Sequence, residues 1–548
     1  MINKMEMEVN LSELEVVRKY EPELVYVERS SEHPSFYNFI RFWGRLPDYL
    51  LDDLISILES RGRGILFDPF GGSGSVLFEG MGRGFTRIIY NDINPAFTFI
   101  TNAIYKGLYI KRDMLLRQID NLALKLISSP VILDLLKIHN LPEDGQFVHK
   151  IAFNKWLTLK KNQKDVNLEF RKKELNDTAE AIMRILKHKE TETFSLLRDE
   201  AIRHLKNYSK LGARILFSVV LNKLIDGDVI KEEIKKDYLV ISSAPILPKN
   251  LKILRVNEKI DDLLKKKEEK YQALINNEIF SYTLQYPNGI PFRKSEGAKT
   301  VGDLYPTWSK ILLSVIWKEI EQFPTSNKDL TNVFKVCFLA SLYDASLMQM
   351  PHKSGWIIKS FWIPSPCAVK NPVSIFIKKL KEFVSIYNHF QEKFDEQTEV
   401  IIYNKNILDF SENDLKDKPD AVITHPPYFS TVQYGELSSL WTSWLGYKIP
   451  FQNEIVENYR QGKNKYIYLH LLKKSLEKIS SLSKKDADII LIFQSKNQRN
   501  WKLLDKILLE LPFELEQIRC YRRTSWWGSK HIFNIGSFDY ALLLKNRR

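Results

Sequence analysis

The strongest chemical signal in the first half of the chain is a glycine-rich turn. Residues 64–67, Gly-Ile-Leu-Phe, predict a short strand just before it. The turn consists of Asp68, Pro69, Phe70, Gly71, Gly72, Ser73, Gly74 and Ser75. Glycine permits a positive φ and a close approach of backbone to a ligand, so this composition favours a binding site. The alternative is a plain turn capped by an aspartate, because short motifs also occur by chance.

The residues around the turn argue against two of the three ligand classes that use such turns. A Walker phosphate loop needs a lysine after its last glycine, and none follows Gly74. In a dinucleotide fingerprint counted from Gly72, the third glycine would fall on Leu77. S-Adenosylmethionine fits better, because it carries no phosphate and its ammonium and sulfonium groups are positive. Asp68 can then face its methionine end.

A second acid lies where the same cofactor would need one. Residues 87–90 predict a strand that ends at Asn91-Asp92. A carboxylate there can accept hydrogen bonds from both ribose hydroxyl groups. Asp92 is therefore a predicted cofactor-binding residue.

The second half of the chain carries a proline pair directly after a predicted strand at 420–424. The residues are His425, Pro426, Pro427 and Tyr428. Proline fixes φ and lacks an N–H, so the pair predicts a rigid corner with accessible carbonyl groups. Ligands of open α/β sheets bind at this end of the strands. An ordinary Pro-Pro loop is the alternative interpretation.

Such a corner suits the exocyclic amino group of adenine or cytosine. That nitrogen is a poor nucleophile, because its lone pair is delocalised into the ring. A backbone carbonyl and a side-chain acceptor can hold its two hydrogens and favour the charge that develops as the nitrogen attacks a methyl group. Tyr428 offers an aromatic face on which a flipped-out base can stack.

Three motifs together resemble those of the amino-group DNA methyltransferases, which modify the exocyclic nitrogen of adenine or cytosine. They are Asp-Pro-Phe-Gly-Gly-Ser-Gly-Ser at 68–75, Asn-Asp-Ile-Asn-Pro at 91–95 and Ile-Thr-His-Pro-Pro-Tyr at 423–428. The segment from residues 33–37 up to the helix at Leu50 looks like the family's element before the glycine turn, which lines the methionine pocket, and residues 428–446 look like its segment after the catalytic tetrapeptide. The resemblance covers roughly the first hundred and the last hundred and fifty residues.

The resemblance implies methyl transfer from S-adenosyl-L-methionine to a base amino group in DNA, in a restriction-modification or defence setting. It implies a catalytic role for residues 425–428 and cofactor contacts by 68–75, Asp92, Asn94 and Asn406. It also implies the order cofactor motif, long insert, catalytic motif, with target recognition in the insert.

Two residues depart from the family pattern. The tetrapeptide there begins with Asp, Asn or Ser, and His425 stands in that place. A neutral imidazole accepts a hydrogen bond and an imidazolium does not, so we expect activity to fall below about pH 6.5. The family often has an acid at the position of Asn406, whose carbonyl or the carboxylate of Asp409 could contact the adenine amino group. These changes leave open a nucleic-acid-binding protein with a catalytically silent core. An RNA base-amino methyltransferase is the other alternative.

The elements that must position these motifs alternate as strand, turn, helix and strand, which is typical of α/β proteins. We predict helices at 50–58 and 76–81 and further strands at 400–403, 488–493 and 540–544. The resemblance implies a doubly wound, mostly parallel sheet of the Rossmann-like, class I methyltransferase type with one late strand reversed, and a large, mainly helical insertion.

The chain divides into four parts on this interpretation. Residues 1–104 hold the cofactor motif, 105–300 form an inserted target-recognition domain, 301–395 are a helical connection, and 396–548 hold the catalytic motif. Residues 1–30 are expected to be a charged lead-in.

Composition favours an anionic partner. The 548 residues carry a formal net charge of +14, which is compatible either with nucleic acid or with solvated lysine-rich helices. The resemblance implies DNA rather than RNA as the nucleic acid. The three cysteines are far apart and the ten histidines lack metal-site spacing, so we predict neither disulfides nor a metal. No apolar run reaches about 18 residues and the first residues lack an apolar signal region, so a cytoplasmic protein without membrane contact is expected.

Overall fold

The computed structural model describes residues 9–27, 39–40, 42, 44–139, 265–293, 297–349, 361–363, 370–522 and 538–548. It also gives the backbone of short strands at 146–148, 191–193, 230–235, 238–243 and 368–370.

An eight-stranded mixed sheet lies at the centre of the molecule. Its strands are β1 (Glu23–Val27), β2 (Ile65–Asp68), β3 (Arg87–Asn91), β4 (Glu399–Tyr403), β5 (Ala421–Thr424), β6 (Asp488–Phe493), β7 (Phe513–Arg522) and β8 (Phe538–Asn546). Their spatial order is β1-β7-β8-β6-β5-β2-β3-β4. β8 runs antiparallel to both of its neighbours, and the other pairs are parallel. The reversed late strand implied by the sequence is thus present.

The strand order changes direction between β2 and β5. From β2 the chain proceeds outward to β3 and β4, and it then returns to β5 on the other side of β2 and continues to β6. A crevice forms at the carboxyl ends of the strands at such a switch point. The glycine turn follows β2 and the proline corner follows β5, so the topology brings the two predicted motifs to adjacent strands.

Helices surround the sheet. They are α1 (Glu15–Tyr20), α2 (Asp48–Ser60), α3 (Ser75–Gly80), α4 (Pro95–Gly107), α5 (Arg112–Ile127), α6 (Pro130–His139), α7 (Asn277–Phe280), α8 (Thr307–Glu321), α9 (Lys328–Leu342), α10 (Pro372–Gln391), α11 (Tyr434–Leu445), α12 (Lys465–Leu482) and α13 (Gln498–Leu509). Short 3-10 helices lie at Leu11–Glu13, Gln272–Leu274, Val301–Leu304, Ile407–Asp409, Glu412–Asp414, Phe451–Asn453 and Tyr459–Gln461.

The sheet separates two hydrophobic cores. Side chains alternate along a strand, so Leu66 of β2 faces one core and Phe67 faces the other. The first core contains α2, α4, α8, α9, α10 and α11. The second contains α12, α13 and the N-terminal residues that include α1. Helices therefore cover both faces of a mostly parallel sheet, which makes the molecule an α/β protein.

The predicted strands and helices around the two motifs are confirmed, with ends that shift by a few residues. The strand near 540 is longer than predicted. β7 has no counterpart in the predictions, although its burial alternates over much of its length. Among the described residues, no helix is long and apolar enough to cross a membrane.

The lead-in expected at residues 1–30 is wrong for its described part. Val9, Leu11, Leu14 and Val16 are buried in the second core, and β1 pairs in parallel with β7 at the edge of the sheet. The charged residues between these apolar positions point to solvent. Because charged residues are frequent in this segment, the spacing of its apolar residues is not evident from the sequence.

The described helices of the predicted connection, 301–395, share the first core with the sheet. Most of the predicted insert, residues 105–300, lies outside the described residues. Within it, Tyr238–Ser243 forms a strand that pairs with Ile230–Lys235. Residues 33–37, the first part of the element before the glycine turn, also lie outside the described residues.

Candidate functional site

The glycine turn is fixed against β3 by its own backbone. The Gly71 N–H donates to the Asn91 carbonyl at 2.8 Å, and the Tyr90 hydroxyl donates to the Gly72 carbonyl at 2.9 Å. A Cβ atom at Gly71 would lie 2.1 Å from the Tyr90 ring, and Gly72 has a φ of +49°. The ring and the left-handed backbone explain why these two positions require glycine.

Asp92 joins the turn to the next loop. Its Oδ2 accepts from the Gly72 N–H at 2.8 Å and its Oδ1 accepts from the Asn94 N–H at 2.7 Å. A carboxylate has about four acceptor positions, so each oxygen keeps room for a ligand hydroxyl. The carboxylate is thus held in place and is still able to bind.

Asn94 lines the same cleft but its side chain is used within the protein. Its Oδ1 accepts from the Ala96 N–H at 3.1 Å and caps α4, and its Nδ2 donates to the Ser438 Oγ of α11 at 2.7 Å. Asn94 therefore positions the wall of the cleft by joining two helices.

Three buried carboxyl groups lie in this cleft: Asp68, Asp92 and Glu454. Burial raises the pKa of Asp68 well above its usual range, and the nearby Asp92 raises it further. Burial also raises the pKa of Asp92 to about 6, against the hydrogen bonds from Asn94 and Gly72. The pKa of Glu454 is raised by burial as well. Three acids in one desolvated space would be stabilised by a ligand that carries positive charge.

The proline corner reaches the same cleft. His425 and Pro427 line it, together with Asp68, Gly72 and Asp92. The Tyr468 hydroxyl of α12 donates to the Pro427 carbonyl at 2.9 Å. Pro426 is buried and does not line the cleft. The corner is therefore held from behind by α12, while His425 faces the open space.

Tyr428 packs beside the corner rather than on the wall of the cleft. Its ring centroid lies 4.9 Å from that of His425 and 5.3 Å from that of Phe493, in edge-to-face contacts. Its hydroxyl donates to the Ile492 carbonyl at 3.3 Å. These contacts orient the imidazole of His425 through the ring of Tyr428.

Phe429, the next residue, has a φ of +44°. A left-handed backbone is costly for a bulky residue and is tolerated where the surroundings enforce it. The Phe429 carbonyl accepts from the Glu457 N–H at 3.0 Å, and its ring lies 4.6 Å from that of Tyr468. This strained residue directly follows the corner, and its contacts fix the direction in which the chain leaves the corner.

The end of β4 supplies a further wall. Asn406 lines the cleft, and its Oδ1 accepts from the Leu408 N–H at 3.3 Å, which leaves this oxygen a second acceptor position. Asp409 is exposed and does not line the cleft. Of the two predicted partners for an adenine amino group, only Asn406 is placed for contact.

The cleft lies at the carboxyl edge of the sheet. Most predicted site residues line it: Asp68, Pro69, Phe70, Gly71, Gly72, Ser73, Ser75, Asp92, Asn94, Asn406, His425 and Pro427. The others, Gly74, Pro426 and Tyr428, support it from behind. The two motifs, some 350 positions apart in the chain, therefore form one site.

Sequence reasoning missed part of the lining. Glu454 and Tyr434 come from the segment after the corner, and Lys405 precedes Asn406. Glu454 lies in an irregular segment with no motif, so no sequence pattern indicates that its carboxylate turns inward. Phe42 and Arg45 also line the cleft, and they lie within the stretch from residue 33 up to the helix at Leu50 that resembles the family's element before the turn.

Comparisons with protein-family models and with curated proteins return no match for this chain. Within the described residues, no group of three or more His, Cys, Asp or Glu side chains is arranged to hold a metal ion.

Proposed function

We propose that this protein transfers a methyl group from S-adenosyl-L-methionine to the exocyclic amino group of adenine or cytosine in DNA, on a fold of the class I methyltransferase type. The observation that carries the proposal is the single cleft lined by the glycine turn, Asp92, Asn406 and His425. A cofactor motif and a catalytic motif would have to meet in this way for methyl transfer.

The strand order supports the fold assignment. The resemblance implies a doubly wound sheet with a late strand reversed, and β8 lies antiparallel between β6 and β7. The cleft lies at the switch point between β2 and β5, where open α/β sheets bind ligands.

The residues of the cleft fit the proposed cofactor. Gly71 and Gly72 permit the tight turn at the edge of the cleft, because a Cβ atom at Gly71 would clash with the Tyr90 ring and Gly72 has a positive φ. The three buried carboxyl groups suit a ligand with a sulfonium and an ammonium group. Asp68 would face the methionine end, Asp92 the ribose hydroxyls and Asn406 the adenine amino group.

When bound, S-adenosyl-L-methionine supplies an electrophilic methyl group on a positively charged sulfur. His425 and a backbone carbonyl of the corner would accept the two hydrogens of the base amino group. This arrangement favours the charge that develops at nitrogen as its lone pair is directed to the methyl carbon. The neutral imidazole of His425 would then take the proton that leaves the nitrogen.

The second candidate function, a nucleic-acid-binding protein with a silent core, is motivated by His425 in a position where the resembled family has Asp, Asn or Ser. It shares the cofactor site with the first proposal and differs only in turnover. An imidazole that lines the same cleft as Asp68 favours the active form, because histidine accepts hydrogen bonds and moves protons near neutral pH.

Two measurements test the proposal. Titration calorimetry with S-adenosyl-L-methionine should give a one-to-one complex, and sequencing of DNA from an expressing host should detect methylated adenine or cytosine. Binding without any modified base in DNA or RNA would favour the silent core. Absence of binding would refute the cofactor assignment. Modified bases found only in RNA would show that the protein is an RNA base-amino methyltransferase.

A further inference from the structure

Two segments without acidic residues lie at the carboxyl edge of the sheet. Residues 458–476 contain five lysines and arginines and residues 494–504 contain three, with no Asp or Glu in either. The Lys465 Nζ donates to the Asn500 Oδ1 at 3.0 Å, which places the segments side by side. Neither α12 nor α13, which begin in these segments, has an acid in its first turn. The positive ends of both helices therefore add to the charge.

Some of these cations are neutralised from outside the segments. Lys473 pairs with Glu510, Lys502 pairs with Glu13, and Arg460 lies 3.5 Å from Glu436. The surplus positive charge is then concentrated near the start of the two helices, around Lys465 and Arg499.

Two tyrosines stand out from this edge. The exposed fraction is 74% for Tyr459 and 81% for Tyr466. A single exposed aromatic ring needs no explanation, but these two lie within eight residues of each other and beside the cations. Tyr459 sits in a fixed turn, because the backbones of Asn458 and Lys463 exchange hydrogen bonds of 2.8 and 3.0 Å. It is presented to solvent on a rigid support.

The same segment touches the proline corner from behind. Besides the bond between Tyr468 and Pro427, the Lys465 Nζ lies 5.1 Å from the centroid of the Phe429 ring. Residues 453–455, which line the cleft, lead directly into the turn of Tyr459. The exposed rings and the candidate site thus belong to one continuous edge.

We propose that Tyr459, Tyr466, Lys465 and Arg499 form a strand-binding surface for unpaired DNA next to the target base. The inference rests on the proposed function, because taking a base out of the stack leaves an unpaired partner and disturbed neighbours. Aromatic faces for stacking, combined with cations for phosphates, are what single-stranded nucleic acid requires. Paired bases inside a duplex offer no free face to these rings.

The test is fluorescence anisotropy of a labelled, mixed-sequence 30-nucleotide DNA strand with the full chain and no cofactor. The double variant Tyr459→Ala/Tyr466→Ala should bind the strand about tenfold more weakly or worse, and the Tyr459→Phe/Tyr466→Phe pair should bind like the wild type. Lys465→Gln and Arg499→Gln should each lower the salt dependence of binding by about one counterion. Tyr109→Ala is the matched control, because Tyr109 is an exposed tyrosine beyond the far end of α4.

Equal strand affinity of the double alanine variant and the wild type would overturn the inference, as would a wild type that binds only duplex DNA or prefers RNA. Methylation by the host assay is scored separately. If the wild type methylates DNA and the double variant matches it in binding and turnover, the surface is wrong and the function stands. If the strand affinity is lost as expected but no base is ever methylated, the surface stands and the function fails. Circular dichroism of each variant excludes unfolding as the cause.

Discussion

The two walls of the cleft are built in different ways. The first wall, residues 68–75 and 91–94, comes from two strands that are adjacent in both sequence and space, and it is held largely by hydrogen bonds within that stretch, although the Asp92 N–H also donates to the Tyr403 carbonyl at 3.3 Å. The second wall, residues 425–429 and 449–455, is held by side chains from outside it. Tyr468 binds the Pro427 carbonyl, and Lys463 binds the carbonyls of Phe451 and Glu454.

The difference follows from what each wall is proposed to bind. A cofactor is a small molecule, so a short segment held largely by its own hydrogen bonds can bind most of it. A base belongs to a long strand that extends beyond the cleft. The second wall therefore depends on supports that lie elsewhere in the chain, and we expect its variants to affect turnover while variants of the first wall affect cofactor affinity.

Charge reversal in the first wall is the largest expected effect. Asp92→Lys should weaken binding of S-adenosyl-L-methionine by at least about 100-fold, since hydrogen bonds to a charged group contribute about 1.5–3 kcal/mol each. Titration calorimetry measures this, and Asp92→Asn serves as the isosteric second variant. Asp409→Lys is the control, because Asp409 is an exposed acid outside the cleft. Equal losses for Asp92→Lys and Asp409→Lys would indicate a general effect of charge.

Removal of the acceptor in the second wall should change turnover alone. His425→Ala should lower kcat by about 100- to 10,000-fold, the usual range for a residue that moves a proton, with cofactor affinity unchanged. His470→Ala, an exposed histidine of α12, is the control.

For the wild type, kcat should fall below about pH 6.5 as the imidazole becomes charged. A pH-independent kcat through this range would exclude His425 as the acceptor.

The two walls should also differ in how pH acts on them. The pKa of Asp92 is raised from 3.8 to about 6 in the folded protein, so folding favours the neutral carboxyl. The stability of the fold that this neutral form contributes is lost as pH rises from about 3.8 to about 6. Cofactor binding needs the ionised form, so affinity should fall about tenfold between pH 7.5 and pH 5. Calorimetry at both values measures this. His425→Ala should leave the difference intact and Asp92→Asn should remove it, and the reverse pattern would contradict the assignment.

The smallest effect should come from the support behind the corner. Tyr468→Phe removes the donor to the Pro427 carbonyl, a bond worth about 0.5–1.5 kcal/mol, so kcat should fall about two- to tenfold at unchanged cofactor affinity. Steady-state kinetics with an oligonucleotide substrate measures this. Tyr459→Phe, which removes an exposed hydroxyl from the same edge, is the matched control. A change in cofactor affinity without a change in kcat would show that Tyr468 supports the first wall, contrary to this prediction.

The sequence predicted the first wall almost completely, because strand, turn, helix and second strand follow each other within thirty residues and each has a local signal. It predicted the corner 425–428 for the same reason. It could not predict Glu454, Lys463 or Tyr468, because their roles depend on how α11 and α12 return to the sheet. It also missed β1, whose pairing with β7 joins opposite ends of the chain. Site residues that are close together in the chain can be predicted from the sequence, whereas residues that support the site from distant segments cannot.

The strand order has a consequence for synthesis. β3 ends at Asn91 and its neighbour β4 begins at Glu399, so at about 5–20 residues per second the ribosome needs roughly 15 to 60 seconds to supply the partner. Helices α4 to α10 emerge in that interval and can cover one face of β2 and β3. The opposite face, with Phe67 and Ile89, waits for Phe410 and for α12 and α13, which are the last helices that the structure describes. A nascent chain of this protein therefore displays a bare apolar surface for most of its translation, and products that end before residue 399 are expected to aggregate.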